Sequence, residues 1–256
     1  MFNVLFETVQ DGEELYLTWL LAGLGWTVAL ALAGWCFAFA LGIVVGCART
    51  STNRAVAIAS RLYVEVFRNI PIIVQMFLWY FVLPEVLPPE TGAWIKKIPP
   101  PWGTFVPALL GLSLYTAARV AEQVKAGIEA LPYGQRCASR ALGMTEFGAY
   151  RLILLPQALR IIMPTLTSEV MGIFKNTSVA LTIGLLELTA QARQINEFTF
   201  KTFQAFGAAT LIYLLLALTV YGAMRWLENH FQTPGQEMKR EKRGIPFDKK
   251  AEEATP

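Results

Sequence analysis

The chain has few of the residues from which metal sites, disulfide frameworks and catalytic centres are usually built. Its 256 residues include one histidine and three cysteines. Cys36, Cys47 and Cys137 share no Cys-x-x-Cys spacing, so we expect neither a zinc site nor a disulfide framework. The histidine, His230, follows the last apolar run, and we expect no metal site. A phosphate-binding Gly-x4-Gly-Lys-[Ser/Thr] loop is also absent from the sequence, which predicts that the chain does not hold ATP itself.

Charged residues are scarce as well. They make up 16% of the chain, whereas soluble domains contain about 25%. Residues 15–48, 98–118 and 202–224 contain no Asp, Glu, Lys or Arg. Uncharged apolar runs of about 18 residues or more are typical of membrane-spanning helices. The composition therefore excludes an ordinary soluble domain and predicts an all-α, polytopic membrane protein.

We predict five transmembrane helices, and the distribution of cations predicts their direction. The approximate ranges are 16–47, 56–83, 105–126, 164–186 and 202–226. The segments assigned to the inner side, residues 49–68, 125–160 and the tail from 225, carry sixteen Lys and Arg, whereas the outer segments carry four. Positive residues concentrate in cytoplasmic loops. We therefore expect the amino terminus outside and the carboxy terminus in the cytoplasm.

The inner loop between the third and fourth predicted spans, about residues 134–160, begins GQRCASRALGMTEFGAYRLILLPQALR. Its first helical run should end at Gly143, which accepts a left-handed backbone. Thr145 should cap a second run from 146 to 155, with Pro156 after it. Both ends of this helix–turn–helix are tethered to membrane spans, which argues against DNA binding. From pattern alone, an amphipathic hairpin on the lipid surface is the alternative.

This loop resembles the EAA loop of bacterial ABC importer permeases, in which Glu-Ala-Ala, three residues, Gly and nine residues precede Ile-x-Leu-Pro. Cys137 stands where Glu is usual, and Ser139 stands where the second Ala is usual. In that family the loop is a coupling helix that docks on the ATP-binding subunit. The resemblance implies the following ATPase-coupling residues: Cys137, Ala138, Ser139, Gly143, Met144, Thr145, Glu146, Phe147, Ile153, Leu155 and Pro156.

Further stretches are similar to permeases of the polar amino acid family, the histidine and glutamine type. The wording FRNIPIIVQ, TAARVAEQV and TSEVMGIFKN is most similar to a permease subunit of glutamate/aspartate importers. The resemblance implies a type I ABC importer permease with a transmembrane domain over 1–230. The cytoplasmic tail over 231–256 is charged and has little apolar bulk, which predicts that it is disordered. The resemblance also implies a transport subunit and not an enzyme, with no cofactor in this chain because ATP and Mg are bound by the partner ATPase.

The same resemblance implies the partners and the location of the chain. The expected partners are a second permease subunit (in a hetero- or homodimer), two ATP-binding subunits, a periplasmic or extracytoplasmic amino acid-binding protein and the lipid bilayer, with no nucleic acid. The expected location is the bacterial inner membrane. Permeases for glutamine, basic amino acids or cystine are alternatives. A small channel or membrane enzyme is a more distant one, because no acid–base or nucleophile constellation is visible.

Ionisable residues within predicted spans are the candidates for substrate contact, because such groups are costly in lipid. Lys175 lies about 16 Å into the fourth predicted span and Arg68 about 10 Å into the second, at about 1.5 Å per residue. Related permeases bind the charged groups of the amino acid with residues at such positions. The alternative is that these residues form intra- and interhelical ion pairs, such as Glu65–Arg68 and Arg119–Glu122 at i,i+3. The predicted substrate-binding set is Lys175, Arg68, Gln75, Glu65, Glu169 and Thr177.

Overall fold

The computed structural model describes residues 3–8 and 15–231, and helices make up almost all of this part of the chain. An isolated bridge between Thr8 and Leu15 is the only strand-like pairing among these residues. A short 3₁₀ helix, Asn3–Phe6, comes before the first long helix. The predicted all-α class is therefore confirmed, and the tail predicted over 231–256 lies outside the described residues except for its first residue.

Eleven α-helices follow one another along the described part of the chain. They are α1 (Tyr16–Arg49), α2 (Arg54–Asn69), α3 (Ile72–Phe77), α4 (Leu83–Val86), α5 (Pro89–Lys96), α6 (Trp102–Glu129), α7 (Tyr133–Ala141), α8 (Glu146–Ala149), α9 (Leu155–Asn176), α10 (Leu188–Thr199) and α11 (Thr202–Phe231). π-helical turns join α3 to α4 (Leu78–Val82) and α8 to α9 (Tyr150–Leu154), and a 3₁₀ helix (Thr177–Ile183) follows α9.

Five spans were predicted, but helix length and composition identify only three or four candidates among the described residues. Among the described residues, α1, α6 and α11 are long and apolar enough to cross a membrane. The predicted second span is broken: α2 and the helical stretch over 72–86 meet at 104°, and together they form a fourth candidate. The predicted fourth span, 164–186, is α-helical only to Asn176 and continues as the 3₁₀ helix.

Pro71 explains the break in the second span. Ile70 has an extended backbone, with ψ at 126°, as expected for a residue that precedes proline. Proline has no N–H, so the Phe67 carbonyl loses its helical partner. The Gln75 side chain replaces that partner, because its Nε2 donates to the carbonyls of Phe67 at 2.8 Å and Ile70 at 3.0 Å.

The tightest packing in the bundle is between α1 and α6. The contact runs from Gly34 against Leu112 to Gly46 against Val124. A Cβ added at Gly42 would lie 2.6 Å from Val120 Cβ. Small residues allow helices to approach closely in a membrane, where packing replaces the hydrophobic effect as the driving force. These two helices therefore form the rigid part of the bundle.

A buried carboxylate ties α1, α10 and α11 together. Glu187 is fully buried, and it accepts hydrogen bonds from the backbone N–H of Thr189 at 3.0 Å and Ala190 at 2.9 Å, which caps α10. The Tyr213 hydroxyl donates to the same side chain at 2.7 Å. On α1, the Thr27 hydroxyl lies 3.5 Å from it and accepts from the Leu188 N–H at 3.1 Å. These hydrogen bonds join three helices around one buried side chain.

The close approach of α1 and α6 predicts a difference between two glycines of α1. Gly42→Ala should lower the melting temperature of the detergent-solubilised protein, because overpacking costs about 1–3 kcal/mol. Gly25→Ala is the matched control, since nothing lies within 4 Å of a Cβ added there. Both variants gain the same helix propensity, so equal melting temperatures would contradict the tight packing at Gly42.

Candidate functional site

The 133–156 segment contains the turn that the sequence predicts. α7 ends at Ala141, and Gly143 has a φ of 72°, in the left-handed region. The Thr145 hydroxyl accepts a hydrogen bond from the Gly148 N–H at 3.1 Å and so caps α8. The predicted local structure at these two positions is confirmed.

The second half of this segment differs from the prediction. Its helix does not stop at Pro156 but continues through a π turn into α9, which ends at Asn176. In the π turn the Leu155 N–H donates to the Tyr150 carbonyl, five residues back. Pro156 then occupies the first turn of α9, where a missing N–H is tolerated. The segment is therefore continuous with α9, and a displacement of the segment acts directly on that helix.

Most of the predicted coupling residues face outwards. Gly143, Thr145, Glu146 and Pro156 are exposed, as are Cys137, Ala138 and Phe147, while Met144, Ile153 and Leu155 are half-buried. Ser139 is the exception, since it is buried and its hydroxyl donates to the Arg136 carbonyl at 2.9 Å. Phe147 is 73% exposed, and Leu142, which the sequence analysis missed, is 79% exposed. These two apolar side chains on either side of the turn form a surface that suits a protein partner.

A basic cavity of about 620 Å³ lies between α2 and the adjoining ends of α1 and α6. Two of the predicted substrate contacts, Arg68 and Glu65, line it. The sequence pattern identified its other charged residues only as cytoplasmic cations or as members of ion pairs, and not as substrate contacts. The charged lining consists of Arg49, Arg54, Arg61, Arg68 and Lys125, with Glu65 and Glu122 as the carboxylates.

Spacing along α2 explains the concentration of positive charge in this cavity. Arg54, Arg61 and Arg68 are seven residues apart, which places them on one face of the helix. From Arg54 to Arg68 that face extends about 21 Å. Five cations face two carboxylates, so the cavity carries an excess of positive charge that attracts anions.

The ion pairs differ from those considered in the sequence. Arg119 does not pair with Glu122 on its own helix; its guanidinium binds Glu169 of α9 in a two-pronged contact at 2.7 and 3.0 Å. Glu122 instead pairs with Arg49 of α1 and lies 3.7 Å from Arg68 of α2. The two intrahelical examples were wrong because spacing along a helix does not reveal which neighbouring helix packs against it, whereas interhelical pairs do form.

Glu65 likewise has a different partner from the one considered. It pairs with Arg61 at 2.7 Å, one turn earlier on α2, and not with Arg68. Both side chains are exposed, so this contact is weak. Arg68 therefore has only the longer contact with Glu122 and remains largely available within the cavity.

Three predicted substrate contacts are buried in structural roles. Gln75 is fully buried and bonds the carbonyls at the α2–α3 break. Thr177 is also fully buried, and its hydroxyl donates to the Phe174 carbonyl at 2.7 Å. Glu169 is paired with Arg119 and buried. The structure does not bring these three side chains into the basic cavity.

Lys175 lies in a second cavity, also of about 620 Å³, between α9 and α11. Its ammonium has no carboxylate within salt-bridge distance in the described part of the chain. The hydroxyl-bearing residues that share this cavity are Ser178, Thr189, Thr210, Tyr213 and Tyr221, and the remaining lining is Met171, Leu214, Ala217 and Leu218. Lys175 and Arg68 therefore line different cavities.

The chain is similar to known transport proteins over most of its length. Residues 38–233 match the family described as binding-protein-dependent transport system inner membrane component. The chain is 41% identical over 235 residues to the glutamate/aspartate import permease protein GltJ of Escherichia coli (strain K12), which covers 91% of this chain and 96% of that protein. It is 34% identical over 209 residues to the probable amino-acid ABC transporter permease protein PatM of Vibrio harveyi, covering 82% and 90%.

Solved structures show the same fold. A chain of an amino acid ABC transporter crystallised with histidines is 28% identical, with a TM-score of 0.71, and the match covers 84% of this chain and 95% of that one. An inward-facing structure of the MetNI methionine ABC transporter has a TM-score of 0.66 at 20% identity, covering 85% and 98%. The second likeness concerns the fold alone.

The Arg119–Glu169 pair predicts a stability effect that an exposed pair should not show. Glu169 is only 8% exposed, so Glu169→Gln leaves Arg119 without its counter-ion and should cost roughly 1–3 kcal/mol. Glu197→Gln is the control, because the Arg193–Glu197 pair of α10 is exposed on both sides. Thermal unfolding in detergent should show a lower melting temperature for Glu169→Gln alone. Equal effects would mean that the α6–α9 pair contributes no more than a surface pair.

Proposed function

Because the chain belongs to the binding-protein-dependent transport system inner membrane components, we propose that it is the permease subunit of an ABC importer for glutamate and aspartate. The predicted family and helical permease fold are confirmed by the family match and by the solved amino acid transporter. The prediction that the chain is a transport subunit and not an enzyme is confirmed by the same relatives. The hydrolysis of ATP then belongs to a separate subunit that binds ATP and Mg.

The basic cavity is the observation that supports an acidic substrate. Glutamate and aspartate carry two carboxylates and one ammonium at neutral pH, so each has a net negative charge. Five cations against two carboxylates attract such a solute and repel a cationic one. In a permease for basic amino acids we would expect an excess of carboxylates in such a cavity. The relative with 41% identity, a glutamate/aspartate import permease, supports the same substrate class.

Arg68 and Lys175 are the two substrate contacts that we propose first. Arg68 is exposed within the basic cavity and has only a 3.7 Å contact to Glu122. Lys175 is exposed in the second cavity and has no carboxylate partner in the described part of the chain, and an ammonium at membrane depth needs a counter-ion. Because these cations line different cavities, we propose that they contact the substrate at different stages of its passage.

The four remaining predicted contacts take supporting roles in this proposal. Glu65 pairs with Arg61 in the lining of the basic cavity, and Glu169 holds Arg119. Gln75 maintains the break that orients α2. Thr177 lies close to Lys175 in the chain, and its hydroxyl fixes the end of α9.

The partners that we propose follow from the surfaces of the chain. The exposed Phe147 and Leu142 of the 133–156 segment dock on an ATP-binding subunit, and two such subunits serve a pair of permeases. A second permease subunit, identical or related, completes the pathway. An extracytoplasmic amino acid-binding protein delivers the substrate on the outer side. In this arrangement the amino terminus faces outwards and the carboxy terminus faces the cytoplasm of a bacterial inner membrane.

Uptake by the full complex in vesicles tests the substrate and its contacts together. Arg68→Met should raise the KM for glutamate and aspartate about tenfold, because a charge-assisted contact contributes about 1.5–3 kcal/mol. Lys175→Met should abolish uptake, since no other cation in the lining of the second cavity can take over the role of its ammonium. Radiolabelled glutamate, aspartate, glutamine and arginine are compared in each vesicle preparation.

Three controls accompany this assay. Arg68→Lys and Lys175→Arg keep the charge and should retain most of the uptake. Arg193→Met removes an exposed cation of α10, outside both cavities, and should leave KM unchanged. Preferred uptake of arginine or glutamine by the parent complex would refute the substrate assignment, whereas wild-type kinetics in both Met variants would refute the contacts only.

The Gly143 turn predicts a loss of coupling. Gly143→Val places a β-branched residue at a φ of 72°, which costs roughly 1–2 kcal/mol and distorts the turn. The variant should insert and assemble, but its ATP hydrolysis should no longer respond to substrate. Gly134→Val is the matched control, because both positions have open space around an added Cβ and only Gly143 has a positive φ. Substrate-stimulated hydrolysis at the parent rate in Gly143→Val would show that the turn is dispensable.

A further inference from the structure

We propose that the 133–156 segment moves α2 as well as α9, because it is hydrogen-bonded to the turn between α1 and α2. We call this set of hydrogen bonds the grip. This turn comprises residues 50–53, after the end of α1 at Arg49 and before the start of α2 at Arg54. The inference rests on the proposed function, since an ATP-binding subunit must displace the segment. It adds a second mechanical route, which ends at the basic cavity.

The first part of the grip holds the backbone of Thr50. The Arg136 guanidinium donates to the Thr50 carbonyl oxygen at 2.5 Å, and the Tyr150 hydroxyl donates to the same oxygen at 2.8 Å. The Thr50 hydroxyl lies 2.9 Å from the Tyr150 hydroxyl. Arg136 also donates to the Tyr150 hydroxyl and lies over its ring, 5.4 Å from the ring centre.

The second part of the grip holds the side chain of Thr52. Its hydroxyl donates to Glu146 Oε1 at 2.9 Å, and Arg140 lies 3.4 Å from the same oxygen. Arg136 and Arg140 come from α7, before the Gly143 turn, whereas Glu146 and Tyr150 come after it. Both arms of the segment therefore hold the 50–53 turn, so a movement of the segment carries the turn with it.

α2 can transmit this movement because it is stiff but lightly packed. The Asn53 side chain accepts hydrogen bonds from the N–H groups of Ala55 and Val56, so the helix starts directly at the gripped turn. Within α2, Val64 is the only buried residue. The far end of the helix is the break at Pro71. Because α2 is held at the 50–53 turn and the chain bends at Pro71, we expect α2 to move as one rigid body.

We call α2, held at residues 50–53 and ending at the Pro71 break, the lever. Its movement would displace part of the positive charge of the basic cavity. Arg54, Arg61 and Arg68 lie on one face of α2. The charged residues that line the opposite side of the cavity come from α1 and α6, and they are Arg49, Glu122 and Lys125. Rotation of α2 would change the distance between Arg68 and Glu122, which is 3.7 Å in this conformation. Arg136, Tyr150, Glu146 and Thr52 are therefore positioning residues, and they act on the substrate only through α2.

A labelling experiment on the full complex tests this route. The three native cysteines are replaced by serine and Ile58, which is exposed on α2 and lines the cavity, is changed to cysteine. We compare the rate of maleimide labelling in the nucleotide-free complex and in the complex trapped with ATP and vanadate. Trapping should change the rate in the parent and change it much less in Tyr150→Phe/Thr52→Val, in which only the Arg136–Thr50 bond of these contacts remains. The double variant should retain ATP hydrolysis while uptake falls about tenfold, because both hydroxyls that hold the 50–53 turn are removed.

Tyr133→Phe is the matched control, because it removes an exposed hydroxyl from the same segment without touching the 50–53 turn; it should behave as the parent. Thr52→Val alone serves if the double variant does not assemble, and it should reduce the trapping effect. A parent whose labelling does not respond to trapping, or a double variant that responds as the parent does, would overturn the lever. The labelling readout is independent of the substrate, so failure of glutamate and aspartate uptake in the parent would count against the proposed function and not against the grip.

Discussion

The missing N–H of Pro71 constrains much of the charged architecture of this protein. The helix cannot continue past Ile70, and α2 meets the following helical stretch at 104°. As a result α2 packs only lightly against α1 and α6, with Val64 as its single buried residue. Its arginines then border an open cavity, where a hydrophobic interior would have to pair or neutralise them. The break is stable because the fully buried Gln75 supplies the hydrogen bonds that proline cannot.

Local features of the fold could be predicted from the sequence because they depend on one residue and its neighbours. The left-handed Gly143 and the Thr145 cap are of this kind. The continuation of the helix past Pro156 was not predicted, because proline normally indicates an end and the π turn that precedes it has no simple sequence signal. The bend in the second span was not predicted although Pro71 signals it, because that span was assigned from its composition, which a bend does not change.

The candidate site was predicted less well, because its charges are paired across helices. Arg119 and Glu169 are fifty residues apart in the chain and meet only through the packing of α6 on α9. Gln75 and Thr177 have polar side chains at plausible depths, yet both satisfy backbone carbonyls. The clearest missed signal was visible in the sequence: Arg54, Arg61 and Arg68 recur every seven residues. Counting them as positive-inside cations obscured their common face on α2.

The division between rigid and lightly packed helices is what a coupled pathway needs. α1 and α6 approach so closely that a single Cβ at Gly42 would collide with Val120, so neither can shift without the other. α9 is continuous with the 133–156 segment and is fastened to α6 by the Arg119–Glu169 pair. α2 has a weaker attachment, because its ion pair with α6, Arg68–Glu122, is longer at 3.7 Å and exposed on the arginine side, yet its start is held by the same segment at Thr50 and Thr52. A force on the 133–156 segment therefore meets the least resistance at α2, the helix that carries most of the cations of the basic cavity.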